Sequence, residues 1–470
     1  MVFSSLIFLL FFFTALFVCY FCVPKRFRWL RNCVLLVFSL FFYRCGGADY
    51  LPLLLASILI NYLGGLLAAS NRPALRKLGL WGAVTLGLGL LGWFKYAGFA
   101  AENLAALGLP VEIPQIVLPI GISFFTFQGL SYVIDVYRGD AKCQKNPLYA
   151  ALYVALFPQL VAGPIVRYTT VEEEITCREE SLHEFSQGVV RFLFGMGKKM
   201  LLANAMGEIA DGVFAQAPGT MAASLAWVGA LAYTLQIYFD FSAYSDMAIG
   251  LGRMFGFHFL ENFNYPYISR SVTEFWRRWH ISLSSWFRDY VYIPLGGSRC
   301  SKGRNILNLT VVWLLTGLWH GAAWNFVLWG AWFLVLLLGE KFLWGGGLSR
   351  MPAFVGWLYA MLAAVLGWVL FRSPSLSYAL DYLGAMAGRG GPADGQAVYY
   401  LLEYWPEWLA ALVAMLPVKV RLQNWLEARG DRLSALALDW CPKLIALGLL
   451  GLSYLKLVTG SFNPFIYFQF

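Results

Sequence analysis

Long uninterrupted apolar runs constrain this chain more than any other feature of its sequence. The first run, Val2–Val23, contains no charged residue and is long enough to cross the roughly 30 Å hydrocarbon core of a bilayer as a helix. Soluble domains carry about 25% charged residues, whereas this 470-residue chain carries 13%, with 59% hydrophobic residues. The sequence therefore predicts an all-α, polytopic membrane protein and excludes the disordered and disulfide-stapled classes.

The positions of the charges predict the topology. Basic residues follow the first apolar run, from Lys25 to Arg31, which is the reverse of the order in a cleavable signal peptide. Because cytoplasmic loops are enriched in Lys and Arg, we expect an uncleaved first helix with an extracytoplasmic N-terminus. The net charge is +9, and the basic residues lie in short clusters between apolar runs. We therefore expect no nucleic-acid partner.

We expect about eleven membrane-spanning or re-entrant segments in total. After the first run, the candidate stretches from which these segments are drawn lie at Asn32–Tyr43, Tyr50–Ala69, Leu78–Phe99, Leu118–Val136, 147–166, 186–206, 224–250, 306–340 (two segments), 354–371, 398–417 and 442–459.

One of these segments, Leu231–Leu251, contains several polar side chains. Gln236, Asp240 and Tyr244 are spaced i, i+4, i+8 and so share a helix face, and Asp246 follows one turn after Ser242. Ionisable residues in apolar spans are costly and are often functional. Two alternatives stay open here: the carboxylates bind other elements for structural reasons, or they line a polar cavity.

The stretch Ser269–Gly297 has the pattern of one amphipathic helix in the membrane interface. Its tryptophans and other apolar residues recur at steps of three and four, and Arg277 and Arg288 fall on a separate polar stripe. His280 lies near the boundary between these faces, where a histidine usually packs or forms hydrogen bonds and is less often a catalyst.

The segment Asn305–Lys341 is too long for one span. As a single helix it would extend about 54 Å, against a hydrocarbon core of about 30 Å. We therefore predict a break near Gly317 and the His320–Ala323 stretch, which places His320 in the bilayer region. Imidazole can shuttle protons near pH 7, although a neutral, hydrogen-bonded structural histidine is the alternative. Neither a Walker loop, a GxSxG elbow nor an HExxH motif occurs, and we expect no metal site.

At the two histidine segments the sequence resembles the membrane-bound O-acyltransferase family, in particular its alginate O-acetylation branch. The resemblance covers about residues 115–470, whereas residues 1–114 match only in hydrophobic character. The chain is accordingly expected to form one integral-membrane domain over residues 1–470. The matching stretches are Pro158–Arg167, Asp240–Pro266, Ser269–Gly297, Leu315–Gly330 and Asn463–Phe470.

The resemblance implies a ring of tilted helices around a central tunnel, with interfacial helices. It implies that His320, in the family's WHG context, is catalytic and that His280, in the RWH context, contributes. Oxyanion donors would be Arg288, Asn325 or a backbone N–H near Gly321. The residues expected to bind substrate, orient neighbours or line the tunnel are Asp240, Asp246, Asn262, Asn264, Trp276, Arg288, Asp289, Trp319 and Asn325.

The reaction implied by the resemblance is acyl transfer, most simply of acetyl, from a cytoplasmic thioester toward an extracytoplasmic acceptor. His320 would act as general base. The donor would be acetyl-CoA or a carrier-bound acyl thioester, with no bound cofactor. The enzyme would lie in the bacterial cytoplasmic (inner) membrane and work with an extracytoplasmic SGNH-type acetyltransferase that modifies a polysaccharide. Alternatives are D-alanyl transfer toward teichoic acids and a transporter or channel.

Overall fold

The computed structural model describes residues 2–460, 462–464 and 466. Phe465 and Tyr467–Phe470 of the matching C-terminal stretch lie outside the described residues. Every regular element within them is helical, so the predicted all-α class is confirmed. The chain divides into two compact units, one formed by residues up to Phe192 with Met247–Leu260, and one formed by Leu193–Asp246 with the residues from Glu261 onward.

The first unit is built from helices that begin and end at recognisable signals. Pro73 occupies the first turn of α4, where its missing N–H costs nothing, and Gly139 ends α5 in a left-handed conformation with φ of 89°. The helices are α1 (Phe13–Cys22, after a π-helical turn at Ile7–Phe12), α2 (Arg28–Arg44), α3 (Leu51–Ala68), α4 (Pro73–Ala106), α5 (Ile122–Arg138), α6 (Pro147–Ala155), α7 (Phe157–Leu160), α8 (Tyr168–Cys177) and α9 (Leu182–Gly197), which continues into the second unit.

Glu180, between α8 and α9, is the centre of a buried ion-pair network in this unit. Its carboxylate pairs with Arg28, lies 3.2 Å from Nη1 of Arg31 and accepts a 2.5 Å hydrogen bond from Tyr20 Oη. Burial alone would raise the pKa of Glu180, but the hydrogen bonds from Arg28 and Tyr20 and the charges of Arg28 and Arg178 outweigh burial and lower this pKa to about 2. Glu180 therefore stays ionised and ties α1 and α2 to the start of α9.

The second unit contains the remaining helices. They are α10 (Asn204–Phe214, after a π-helical turn at Lys198–Ala203), α11 (Ala223–Met254, whose last residues belong to the first unit), α12 (Val272–Arg278), α13 (Ile281–Phe287), α14 (Lys302–His320), α15 (Trp324–Gly339), α16 (Gly345–Leu348), α17 (Ala353–Arg372), α18 (Leu376–Met386), α19 (Gly395–Glu403), α20 (Trp405–Ala414), α21 (Val418–Arg429) and α22 (Arg432–Thr459).

Helices α14 and α15 form a closely packed hairpin because glycines face each other across it. A Cβ atom on Gly317 would fall on the carbonyl oxygen of Phe326, and one on Gly330 would fall on that of Trp313. Only glycine permits such an approach of two backbones. The hairpin packs on an aromatic core that includes the fully buried Trp329.

Among the residues that the structure describes, five helices are long and apolar enough to cross a membrane by length and composition. They are Leu51–Ala68, Pro73–Ala106, Trp324–Leu348, Ala353–Arg372 and Arg432–Thr459. The predicted total of about eleven segments stays a prediction, as does the single-domain organisation.

Two predicted segments are not single helices, and proline explains both. In 147–166 the chain leaves the helix at Leu156, two residues before Pro158, with ψ of 114°. In 398–417 the break between α19 and α20 comes just before Pro406, which occupies the start of α20. Proline lacks an N–H and clashes with the preceding turn, so it begins a helix more readily than it continues one.

The prediction of one amphipathic helix over Ser269–Gly297 is also wrong. The structure has two short helices, α12 and α13, separated by Trp279 and His280. The backbone of His280 lies in the left-handed region, with φ of 44° and ψ of 55°, which a right-handed helix does not admit.

Candidate active site

His320 is the last residue of α14, directly before the predicted break. Gly321 leaves the helix with φ of −167° and ψ of 151°, and α15 begins at Trp324. The break in the long segment is therefore confirmed at the predicted residues. A Cβ atom on Gly321 would fall on the ring of Phe326, so the tight turn beside His320 requires glycine.

Aromatic rings surround the His320 imidazole. Its centroid lies 5.0 Å from that of Trp319, 5.0 Å from that of Trp329 and 5.2 Å from that of Phe371, all near perpendicular. These rings come from α14, α15 and α17, so three helices position one side chain. His320 is half-buried, which leaves part of its imidazole accessible within an apolar surrounding.

His280 lies in the same region, between α12 and α13, and is 1% exposed. Its ring packs edge-on against Phe241 at 4.6 Å and against Trp319 at 5.8 Å between centroids. Trp319 therefore contacts both imidazoles. The structure brings His280 together with Trp319 and His320, which lie in a separate stretch of the sequence.

Asn262 holds His280 in place. Its Oδ1 accepts hydrogen bonds from the backbone N–H of Ser282 at 3.2 Å and from Ser282 Oγ at 2.9 Å, and lies 3.2 Å from Nδ1 of His280. Its backbone oxygen accepts from Ile281 N at 2.9 Å, and its Nδ2 donates to Ser245 Oγ on α11 at 3.1 Å. Asn262 thus caps α13 from outside and stabilises the left-handed residue before it.

This network also fixes the tautomer of His280. Because a backbone N–H donates to Oδ1 of Asn262, that atom is the amide oxygen and accepts only. Nδ1 of His280 must therefore carry the hydrogen, and Nε2 keeps a lone pair. Among the residues that the structure describes, none hydrogen-bonds to Nε2. A buried imidazole nitrogen is left as an acceptor beside Trp319 and His320.

The other predicted residues have different surroundings. Asn325, at the start of α15, donates to the carbonyl of Ser373 at 3.0 Å, and Trp276 packs into the aromatic core 5.5 Å from Trp329. Arg288 is 62% exposed and pairs with the adjacent Asp289 at 2.6 Å. The side chain of Asn264 is exposed, while its backbone N–H donates to the carbonyl of Arg278 at 2.9 Å.

Asp240 and Asp246 both pair with lysines. Lys199 Nζ lies 2.6 Å from Oδ1 of Asp240, whose Oδ2 accepts from the backbone N–H of Ile466 at 2.8 Å. Lys198 Nζ lies 2.7 Å from Oδ2 of Asp246. These contacts favour the structural alternative for Asp240, because its carboxylate is buried against a cation and the C-terminal segment; a role in lining the tunnel stays a prediction.

Several residues that contact the predicted site residues were not identified from the sequence, although the sequence does indicate some of them. Lys198 and Lys199 are charged residues inside the predicted segment 186–206, and the rule that singled out Asp240 applies equally to them. Trp329 and Phe371 carry no such signal, since an aromatic residue in an apolar helix is ordinary. No three His, Cys, Asp or Glu side chains converge as metal ligands in the described ranges.

The chain is similar in sequence to one protein family and to several known proteins. Residues 145–375 match the model of the membrane-bound O-acyltransferase family. The chain is 40% identical to a probable alginate O-acetylase of Azotobacter vinelandii over the whole of both chains. It is 32% identical to a peptidoglycan O-acetyltransferase of Helicobacter pylori, over 93% of this chain and 91% of the relative. It is 30% identical to a teichoic acid D-alanyltransferase of Bacillus subtilis, over 47% of this chain and 59% of the relative.

Both histidines and their surrounding rings from Phe241 to Phe371 fall within the matched residues. The full-length similarity to an O-acetylase extends the match to the helices outside that range. The apolar helices that can cross a membrane are consistent with a bacterial membrane protein. The chain belongs to the membrane-bound O-acyltransferase family and is an O-acyltransferase.

Proposed function

We propose that the protein transfers an acetyl group from a cytoplasmic thioester donor toward an extracytoplasmic acceptor hydroxyl, for O-acetylation of an exported or cell-surface polysaccharide. The observation that carries the proposal is His320, a half-buried imidazole at a helix break, enclosed by aromatic rings. The similarity to O-acetylases over the whole chain supports acetyl as the group transferred.

His320 is the general base in this mechanism. It removes the proton from the acceptor hydroxyl as the hydroxyl oxygen attacks the thioester carbonyl, and the imidazolium then returns a proton to the departing thiolate. The apolar rings around it exclude water, which would otherwise compete as the nucleophile. Acetyl-CoA or a carrier-bound acyl thioester would serve as donor.

His280 supports the reaction as a hydrogen-bond acceptor through Nε2. The tautomer set by Asn262 leaves that nitrogen ready to bind a hydroxyl hydrogen or to relay a proton. The first turn of α15, from Trp324, begins four residues after His320. N–H groups in a first helical turn carry partial positive charge, which suits a developing oxyanion better than the exposed Arg288 does.

We assign the protein to the bacterial cytoplasmic membrane, with an extracytoplasmic N-terminus and a tunnel between the two faces. Donor and acceptor would reach His320 from opposite sides. We further propose that an extracytoplasmic SGNH-type acetyltransferase completes the transfer to the polymer, which the similarity to a probable alginate O-acetylase supports. D-alanyl transfer is less well supported, because similarity to a D-alanyltransferase covers only 47% of the chain.

Replacing His320 tests this function. His320→Ala should abolish polymer-bound acetate in cells that depend on this protein, with an unchanged protein level in the membrane fraction. His183→Ala is the matched control: His183 is exposed on α9, where it contacts Gln187, and its loss should leave acetate at the wild-type level. Acetate retained in the His320 variant would refute the base assignment, and loss of ester-linked D-alanine in place of acetate would redirect the substrate.

A further inference from the structure

The second unit contains a cavity of about 800 Å³ that the proposed mechanism does not use. Its walls include Leu309 of α14, Leu337 of α15 and Gly356 of α17. At their other ends, α14 finishes with His320, α15 begins four residues later at Trp324, and α17 places Phe371 5.2 Å from the imidazole. Leu309 lies eleven positions before His320, or about 16 Å along α14. The cavity therefore lies toward the opposite end of these helices from the imidazole.

The polar wall of this cavity is basic. Arg270, Arg277 and Lys341 line it together with one carboxylate, that of Glu340. In the part of the chain that the structure describes, none of the three cations forms an ion pair with a carboxylate. Lys341 Nζ lies 5.7 Å from the ring centroid of Phe342. The three cationic side chains are exposed, so an anion entering the cavity can reach them and be attracted by their charge.

The carboxylate of Glu340 does not pair with these cations, because it accepts hydrogen bonds from the first residues of α12. Its carboxylate accepts hydrogen bonds from the backbone N–H of Val272 at 2.5 Å and from the backbone N–H and Oγ1 of Thr273 at 2.8 Å and 2.5 Å. A carboxylate at a helix N-terminus is held by the partial positive charge there. Glu340 keeps its charge but its oxygens already accept from α12, so the wall carries three positive charges against one negative charge.

We propose that this cavity is a binding site for a phosphate group, held by Arg270, Arg277 and Lys341. Arginine presents a planar fork of donors that matches phosphate oxygens two at a time, and lysine adds a compact charge. The apolar walls formed by Leu309, Leu337 and their neighbours would receive the uncharged remainder of the ligand. The ligand is therefore an amphipathic, phosphate-bearing molecule.

Two sources supply such chemistry at this position. One is an anionic membrane phospholipid, whose acyl chains would follow the apolar wall. The other is a soluble phosphorylated thioester carrier with its phosphate in the cavity and its sulfur toward His320. The phosphate site itself does not depend on the proposed function, and only the second source does.

The test measures binding to the purified full-length protein in a neutral detergent. The probes are dioctanoyl phosphatidylglycerol, dioctanoylglycerol as its phosphate-free counterpart, and coenzyme A. Arg277→Gln removes one cation from the wall. Arg278→Gln is the matched control on the same helix, because Arg278 pairs with Glu274 at 2.9 Å and does not line the cavity. Size-exclusion profiles and melting temperatures establish that each variant is folded.

We expect wild type to bind phosphatidylglycerol or coenzyme A but not dioctanoylglycerol. Arg277→Gln should weaken that binding about tenfold or more, the loss typical of one charge-assisted hydrogen bond, and Arg278→Gln should match wild type. Binding of the lipid alone identifies a membrane phospholipid, and binding of coenzyme A alone identifies the carrier. Absence of binding by both phosphate probes, or equal weakening by the two variants, overturns the site. These binding measurements do not depend on acetyl transfer. Failure of the proposed function would be seen instead as retained polymer-bound acetate in His320→Ala.

Discussion

The role of Asn262 can be tested through one substitution that removes its acceptor oxygen. Asn262→Leu keeps a side chain of similar size but leaves Nδ1–H of His280 without its partner. The imidazole can then move its hydrogen to Nε2, where it no longer presents an acceptor to the reacting groups. We expect acetyl transfer to slow because the productive tautomer becomes the minor one.

The size of this effect follows from the contacts. A buried donor left without an acceptor costs about 1–3 kcal/mol, and every 1.36 kcal/mol changes a rate or population tenfold. The ratio of the Nδ1–H to the Nε2–H tautomer should therefore fall about 5- to 150-fold, and the rate should fall with the population of Nδ1–H that remains. The same substitution orphans the N–H of Ser282, so the melting temperature should also fall.

The conservative variant Asn262→Asp separates the two effects. Its carboxylate still accepts from Nδ1 of His280 and should restore most of the rate, although the buried charge keeps the melting temperature below that of wild type. Ser245→Ala removes only the bond that Asn262 Nδ2 donates and should affect the rate by less than a factor of two or so. The assay is the initial rate of acetylation at equal amounts of folded protein. The positioning role would be refuted if Asn262→Leu acetylated at the wild-type rate, or if Asn262→Asp acetylated no faster than Asn262→Leu.

Three further predictions concern the scaffold. Gly317→Val should lower the melting temperature strongly, because its Cβ meets the backbone of α15, whereas Gly303→Ala, with open space around it, should leave the temperature nearly unchanged. Because the pKa of Glu180 is lower in the folded protein, its ionised carboxylate should stabilise the fold by about 3 kcal/mol above pH 4.5. That contribution should disappear as the pH falls from about 4.5 to about 2. Thermal unfolding over this range should depend less on pH in Glu180→Gln than in wild type. Lys199→Met should destabilise by about 3–5 kcal/mol because it leaves Asp240 buried without its cation, and adding Asp240→Leu should recover part of that loss in the same melting assay.

The helix break beside His320 was predictable because bilayer thickness limits the length of a span. The segment Asn305–Lys341 exceeded that limit, and the small residues within it marked where the chain could turn. The structure breaks at Gly321–Ala323, as expected. Length and glycine content are local properties of the sequence, so this break could be predicted without knowing which helices pack against it.

The break at His280 was not predictable in this way. The apolar residues of Ser269–Gly297 continue at helical spacing through position 280, so the local pattern indicates one helix. The structure departs from it because the loop at Asn262–Asn264 runs beside the junction and bonds to the backbone on both of its sides, at Arg278 and Ile281. A tertiary contact outweighs helical periodicity here, and the periodicity of one segment cannot indicate a contact made by another.

Nearby substitutions should therefore affect the two histidines differently. His320 is set by covalent geometry and by the packing of α14 on α15, so most substitutions that move it also damage the hairpin. His280 occupies a backbone conformation that costs about 1–2 kcal/mol for a non-glycine residue and is held there by the bonds of one asparagine. Strain of this kind persists only where the surroundings enforce it. Loss of Asn262 should therefore relax the His280 junction while α14 and α15 remain packed, which makes the rate of acetylation the more sensitive measure and global stability the less sensitive one.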